Sequence, residues 1–309
     1  MMMQQSHSRN LGDTSQGSCL IACEILWDCF PYGNYLGGAT TNVAYHLNHQ
    51  PATPVIVASV GKDELGREAI EQISNGWGCG INHIKVLDDL PTGKVEVHLD
   101  ESGDATYVIE TPAAWDYITL VNLQDPEIEK ADAFLYGSVS LRSEYNRKQV
   151  DLFLKDYDGL KLFDVNLRPP HNSEEMVLEY AKKADFVKLN EEELNILSHL
   201  YSSEEELQKQ ILNMSDMMNV EMLCVTRADK SAMMLYYGEI FEGETFPVSV
   251  EDTVGAGDAF FASMISSLLS EDFNPKEALN KATRLGSWVA TQKGAQPDYN
   301  RYDDYKNWK

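Results

Sequence analysis

The chain is poor in positive charge. Its 309 residues include 25 Lys and Arg against 49 Asp and Glu, a formal net charge of −24. Nucleic acid and anionic membrane surfaces both need a basic face, so neither is expected as a partner. Any phosphate site must therefore be local, built from backbone N–H groups, a few Lys or Arg and a metal ion. No Cys-x-x-Cys occurs, and the cysteines (Cys19, Cys23, Cys29, Cys79 and Cys224) are scattered and odd in number. That argues against a disulfide framework and for buried or free thiols in a reducing cytosol. Histidines are missing around Cys19–Cys29, which argues against a metal site there. There is no Gly-x-x-x-x-Gly-Lys-Ser/Thr loop and no Gly-x-Gly-x-x-Gly after the first strand, so P-loop and nicotinamide enzymes are not expected. No apolar run is long enough to span a bilayer. Residues 1–17 are polar and lack the apolar core of a secretion signal. We expect them to be a disordered extension and the protein to be soluble and cytoplasmic.

What is present centres on Asp252-Thr253-Val254-Gly255-Ala256-Gly257-Asp258-Ala259-Phe260. Two glycines flanking an alanine let a backbone turn tightly and approach a ligand. Phe260, Phe261, Met264, Ile265, Leu268 and Leu269 follow at helical spacing, so the loop opens a buried helix. Free N–H groups and the positive end of the helix dipole make that terminus a site for phosphate or a developing oxyanion. Asp258 could cap the helix or take a proton from a substrate hydroxyl.

The remainder reads as alternating strands and helices. Cys19–Leu26 predicts a first buried strand, with Asp28 beyond its C-terminal end, the edge at which open α/β sheets bind ligands. Gly37-Gly38 enters a helix with Asn42 in its first turn. Val55–Val60 and Ile81–Val86 read as strands. Thr92–Glu110 alternates and turns at Glu101-Ser102-Gly103-Asp104, predicting a hairpin outside the central sheet, a lid or a dimer contact. Strands are expected at Ala133–Tyr136, Lys161–Asp164, Phe186–Leu189 and Met222–Thr226. Helices are expected at Ser143–Lys155, Ser173–Lys183, Glu191–Tyr201, Ser203–Met214 and Pro275–Thr291. Met233–Tyr237 and Gly238–Phe246 predict an antiparallel hairpin at the sheet edge. This order predicts a parallel sheet with helices on both faces. Arg168 beyond a strand could clamp a phosphoryl group or make a surface ion pair. Asn190 and Glu193 could organise Mg²⁺ and its waters, although acids in a first helical turn need no function.

Together these pieces resemble the PfkB (ribokinase-like) family of carbohydrate kinases, and within it the fructokinases. Asp252–Asp258 is similar to the family's C-terminal signature, Gly37-Gly38…Asn42 to its N-terminal one, and Asn190…Glu193 to its Asn-x-x-Glu motif. Glu24–Asp28, Pro91-Thr92-Gly93, Ala114-Trp115-Asp116 and Asp164–Arg168 look like the fructokinase branch. The sequence departs from the family at Cys23, where glycine is common, at Thr40-Thr41, where Pro-Ala is common, and at Ala228 after Thr226-Arg227, where glycine is common.

The resemblance implies a three-layer α/β sandwich, one kinase domain over residues 18–309, with a small β lid including the hairpin at about 92–110. It implies ATP-dependent phosphorylation of a free sugar, with Mg²⁺. Asp258 would be the general base, and the N–H groups of Gly255, Ala256 and Gly257 the anion hole. Asp28, Gly37, Gly38 and Asn42 would hold the sugar. Arg168 would touch substrate or γ-phosphate, and Asn190 and Glu193 would support Mg²⁺, Glu193 through water. Thr226 and the start of the last helix, around Gly286 to Ala290, would border the nucleotide. Some members bind K⁺ through positions matching Asp252, Val254 and Gly294. A monomer, or a homodimer joined through the lid, is expected.

Overall fold

The structure, a computed structural model, describes residues 17–30, 33–99, 105–121, 125–199 and 206–302. The expected disordered extension (Gly17 apart) and the hairpin turn at 101–104 lie outside these residues.

Strand β1 (Ser18–Cys23) is followed by β2 (Leu26–Phe30), β3 (Gly33–Gly37), helix α1 (Ala39–Leu47), β4 (Thr53–Gly61), α2 (Glu64–Glu71) and β5 (Ile84–Leu87). Next come β6 (Gly93–Leu99), β7 (Ala105–Ile109), the short α3 (Pro126–Glu129), β8 (Ala133–Gly137), α4 (Glu144–Leu154), β9 (Leu160–Asp164) and α5 (Glu174–Ala181). The chain continues through β10 (Phe186–Asn190), α6 (Glu191–His199), α7 (Leu207–Met218), β11 (Met222–Thr226), β12 (Met233–Tyr236), β13 (Glu239–Glu242), α8 (Ala256–Leu268) and α9 (Pro275–Ala290).

Nine strands form one sheet in the order β13-β12-β11-β10-β9-β8-β1-β4-β5. All pairs from β11 to β5 are parallel, and β12 and β13 add the antiparallel edge expected from the sequence. The buried strands read as apolar runs because both faces are covered. Their alternation sorts the core: Cys19, Ile21 and Cys23 face α1, α8 and α9, while Leu20 and Ala22 face the layer of α4 to α7. The same period sends Phe186 toward Phe261 of α8, with ring centroids 5.9 Å apart. It therefore also sends Lys188, two residues on, to the α8 side.

The expected single strand from Cys19 to Leu26 is broken. Glu24 and Ile25 leave the main sheet, and β2 belongs to a separate sheet ordered β3-β2-β6-β7. Asp28 is accordingly in this small sheet, paired opposite Tyr35, not at the end of the first parallel strand. Apolar patterning cannot reveal a change of sheet when the core is continuous through the bend. Strand β3, which the sequence reading does not predict, pairs antiparallel with β2. The β6–β7 hairpin is outside the central sheet, as its alternation indicates. It is braced by Trp115, which fills the space that a Cβ on Gly93 would occupy, 2.4 Å from Trp115 Cδ1. Arg142 stacks on Trp115 at 3.7 Å and pairs with Asp116 at 2.7 Å, so this fructokinase-like stretch is a structural brace. Helix α7 runs four residues later than expected at each end. Its αL C-cap at Asn219 sets the stop.

Candidate active site

Helix α8 begins where its sequence predicts. Gly255 is its N-cap in the left-handed region, φ 79°. A Cβ there would also stand 2.6 Å from Ala295 Cα, so glycine is required twice over. Ala256 N–H turns back to Thr253 O at 3.3 Å. Among the described residues the N–H groups of Gly255 and Gly257 have no such backbone acceptor, as the first turn of a helix dictates. Of the three N–H groups expected to form an anion hole, these two are the ones left open.

Asp258 sits in that first turn, partly buried. Its Oδ2 accepts a 2.8 Å hydrogen bond from Asn42 Nδ2 of α1. Asn42 Oδ1 in turn accepts from Gln296 Nε2 at 2.9 Å, and the same amide donates to Leu36 O of β3. Burial pushes the Asp258 carboxyl up to about 6, Asp164 adds to this, and Lys188, Asn42 and Arg168 oppose it. An acid poised there is ionised at neutral pH yet basic enough to accept a proton.

The sequence reading assigns no role to Lys188. Its ammonium lies against the α8 terminus, 3.6 Å from where a Cβ on Gly257 would be, and is 3.0 Å from Asp164 Oδ1. Both side chains are buried. Burial alone would lower the lysine's value, but Asp164, Glu193 and Asp258 outweigh it and hold the ammonium charged. The available signal was the strand period: a lysine two residues after Phe186 must enter the same layer. Asp164 Oδ2 is buried and has no hydrogen-bond partner among the described residues.

On the small-sheet side, Asp28 is half-buried and burial pushes its carboxyl up to about 6. Gly37 makes room for it, since a Cβ would come 2.6 Å from Asp28 Oδ2. Gly38 has φ 107°, and a Cβ there would stand 1.9 Å from Glu24 O. The Gly-Gly pair is thus fixed by packing between β1, β2 and α1.

The remaining expected residues divide. Arg168 is exposed, and its charge favours the ionised form of Asp258. Asn190 and Glu193 form a reciprocal cap on α6: Asn190 Oδ1 accepts Glu193 N–H and Glu193 Oε2 accepts Asn190 N–H, both at 2.8 Å. Glu193 Oε1 accepts Leu167 N–H at 2.9 Å, so this pair also fixes the loop carrying Arg168. Burial pushes the Glu193 carboxyl up. Thr226 lies opposite Asn190 across the β10–β11 ladder. Gly286 and Ala290 belong to the C-terminal half of α9, not its start. Gly286 faces α8, where a Cβ would come 2.8 Å from Ala256 O, so it lets the two helices pack closely. Ala290 O accepts the N–H groups of Glu251 and Asp252 at 2.9 and 3.3 Å. Asp252 staples two segments, accepting Val254 N–H and Gly294 N–H at 3.0 Å each. All five cysteines are free thiols, and Cys19, Cys23, Cys79 and Cys224 are buried.

A family model described as pfkB family carbohydrate kinase matches residues 22–301. The chain is 28% identical over 283 residues to fructokinase-2 of Zea mays, covering 84% of this chain and 81% of that protein. It is 28% identical over 284 residues to the fructokinase of Salmonella typhimurium, covering 86% and 91%. Among solved structures, fructokinase from Vibrio cholerae, in its fructose, ADP and calcium ion bound form, superposes with a TM-score of 0.81 at 23% identity, covering 94% and 99% of the two chains. The chain belongs to the pfkB family of carbohydrate kinases.

Proposed function

We propose that this kinase transfers the γ-phosphoryl group of ATP to a hydroxymethyl of a free sugar, with fructose as the preferred acceptor. The observation that carries the reading is Asp258 at the α8 terminus, held by Asn42 on one side and flanked by Lys188 on the other. The names of the curated relatives, and the fructose and ADP in the Vibrio cholerae structure, support the choice of sugar and nucleotide.

In this reading Asp28 and Asn42 hold sugar hydroxyls, and Gly37 and Gly38 set the wall between them. Asp258 takes the proton of the attacking hydroxyl as its oxygen bonds to the γ-phosphorus. The bond from that phosphorus to the bridging oxygen breaks, and the electron pair leaves with ADP. A loose transition state of this kind needs alignment and charge stabilisation more than covalent help. Gly255 and Gly257 N–H, Lys188 and Arg168 supply the positive potential. Thr226 and the α9 face near Ala290 border the nucleotide. The β2-β3-β6-β7 sheet acts as the lid that excludes water from the reaction.

Mg²⁺, when bound, would supply charge neutralisation at the phosphates. The donor set fits it: Asp164 Oδ2 is a buried carboxylate oxygen with no hydrogen-bond partner among the described residues, and the Glu193 carboxyl interacts with Asp164 electrostatically. Glu193 and Asn190, each already engaged with backbone, would reach the ion through water. The segments stapled by Asp252, at Val254 and Gly294, would hold K⁺.

The test is ADP release from Mg-ATP by the purified protein across fructose, ribose, glucose, adenosine and fructose 6-phosphate. Turnover concentrated on fructose is the expected result. Turnover with another acceptor reassigns the pocket, and silence across the panel from folded protein with K⁺ present overturns the reading. Tyr35 of β3 and Val108 of β7 are exposed on the lid. We expect a monomer or a lid-to-lid dimer, and small-angle scattering showing a larger assembly would refute that.

A further inference from the structure

His83 immediately precedes the edge strand β5, and Asp125 and Glu127 lie at the start of α3. The fold brings the three together, although none of them belongs to the groups that the kinase reading uses. His83 Nε2 is 3.7 Å from Asp125 Oδ2 and 3.3 Å from Glu127 Oε2, and the three donor atoms all lie within 4.8 Å of one another. The imidazole is 9% exposed, while the side chains of Asp125 and Glu127 are 37% and 61% exposed. The cluster is therefore closed by the protein behind the ring and open to solvent in front of the carboxylates. Its members are anchored through the backbone. His83 O accepts Ala58 N–H of β4 at 3.2 Å. Asp125 Oδ1 caps α3 by accepting Glu127 N–H at 2.9 Å, which leaves Oδ2 for the ring. Asp125 O accepts the N–H groups of Ile128 and Glu129 at 3.1 and 3.0 Å, and buried Ile128 ties this short helix to the core.

An ion pair accounts poorly for this geometry. Charge-assisted N–H···O bonds are about 2.7–2.9 Å long, and both contacts of the ring are longer. One ring nitrogen carries at most one proton, which cannot serve two carboxylates at full strength. Among the described residues the ring has no hydrogen-bond partner outside the cluster, and neither carboxylate pairs with Lys or Arg. Two carboxylates thus face a single imidazole with no further cation, in a chain of net charge −24. A shared metal ion accounts for the spacing directly. Zinc bonds imidazole nitrogen and carboxylate oxygen at about 2.0–2.2 Å, so ligand atoms at the corners of its tetrahedron stand about 3.3–3.6 Å apart. The separations of 3.3 and 3.7 Å match that edge, and a small rotation of the exposed Glu127 side chain brings its oxygen and Asp125 Oδ2 to the same spacing. The imidazole argues for a transition ion over Mg²⁺ or Ca²⁺, which take oxygen donors.

We propose that His83, Asp125 and Glu127 form a Zn²⁺ site, with His83 Nε2, Asp125 Oδ2 and Glu127 Oε2 as ligands and a water in the fourth, solvent-facing position. Binding requires Nε2 to be unprotonated, and any proton displaced from it passes to solvent. The role of the ion is structural. The segment between His83 and Asp125 carries β5 and the small-sheet strands β6 and β7, and α3 leads back into β8 of the central sheet. The ion therefore staples the two ends of that segment to each other. Nothing in this site depends on which sugar the kinase takes, or on the roles given to Asp258 and Lys188.

The experiment strips the full chain with EDTA, removes the chelator and titrates Zn²⁺ by calorimetry, with His83→Ala and Glu127→Gln alongside. A single Zn²⁺ per chain is expected in the wild type. Both variants should weaken it by more than about 100-fold, beyond the range for loss of an outer-shell partner. Glu127 is exposed, so its variant keeps the test decisive even if His83→Ala folds poorly. Zn²⁺ should raise the Tm of the wild type and leave that of each variant unchanged, because an ion bound to the folded state alone stabilises it. Co²⁺ in place of Zn²⁺ should give the strong visible bands of a four-coordinate ion in the wild type and lose them in both variants. A wild type that takes up no Zn²⁺ overturns the proposal. So does Zn²⁺ held with equal affinity by the wild type and both variants, which would place the ion at thiols or at the carboxylates near Lys188.

Discussion

Asp258→Asn is expected to retain the fold and to lower kcat by about 10²–10⁴-fold, the range for loss of a general base. Asparagine keeps the size of the side chain, and its amide oxygen can still accept the 2.8 Å bond from Asn42 Nδ2. What it loses is the capacity to take a proton. KM for the sugar should therefore change little, because Asp28 and Asn42 are untouched, and the deficit should appear in kcat. The wild-type enzyme supplies the matching pH dependence. The base must be ionised to act, so activity should rise with pH through about 6, where burial places this carboxyl, and level off above it. In the variant that acidic limb should vanish from whatever rate remains. A variant with near-normal kcat, or one that retains the limb, removes Asp258 from proton transfer and leaves it as a helix cap.

Much of this site was legible in the sequence because its residues obey local rules. Gly255 and Gly257 flank a helix start, and the left-handed φ of 79° at Gly255 is the kind of geometry such a pattern signals. Asn190 and Glu193 sit three apart at the start of a helix, which is the spacing of a reciprocal cap. The pair's visible work is structural, and a part in holding a cation would come on top of it. The parallel sheet was legible because β1, β4 and β8 to β11 are short apolar runs separated by helical patterns. The break at Glu24 was not legible, since Cys23, Ile25 and Leu26 are all buried on either side of it and apolar patterning continues without interruption. The 2.6 Å bond from Thr40 Oγ1 to Glu24 Oε2 was also hidden, because its partners are sixteen residues apart in sequence and meet only through the fold. Gly286, which the resemblance places beside the nucleotide, has a packing role that the sequence did not show: a Cβ there would come 2.8 Å from Ala256 O in the first turn of α8.

Lys188→Met should produce the second large effect, and it separates two roles that coincide in the wild type. Lys188 compensates Asp164, 3.0 Å away in a buried setting, and it also stands beside the anion hole at Gly257. Removing the ammonium leaves Asp164 without its cation, a loss of about 3–5 kcal/mol for a broken buried pair. It also removes one source of positive potential at the transferred phosphoryl, worth about 10²–10³ in kcat by analogy with one anion-hole donor. The ammonium favours the ionised form of Asp258, so the acidic limb of the pH profile should move upward in the variant. The double variant Asp164→Asn/Lys188→Met, compared with Asp164→Asn so that loss of the proposed Mg²⁺ donor is common to both, distinguishes the roles. With the orphaned carboxylate neutralised, stability should largely return while kcat stays below that of Asp164→Asn. Recovery of rate together with stability would make Lys188 a structural counter-charge only, and would leave the phosphoryl group to the helix terminus, Arg168 and the metal ion.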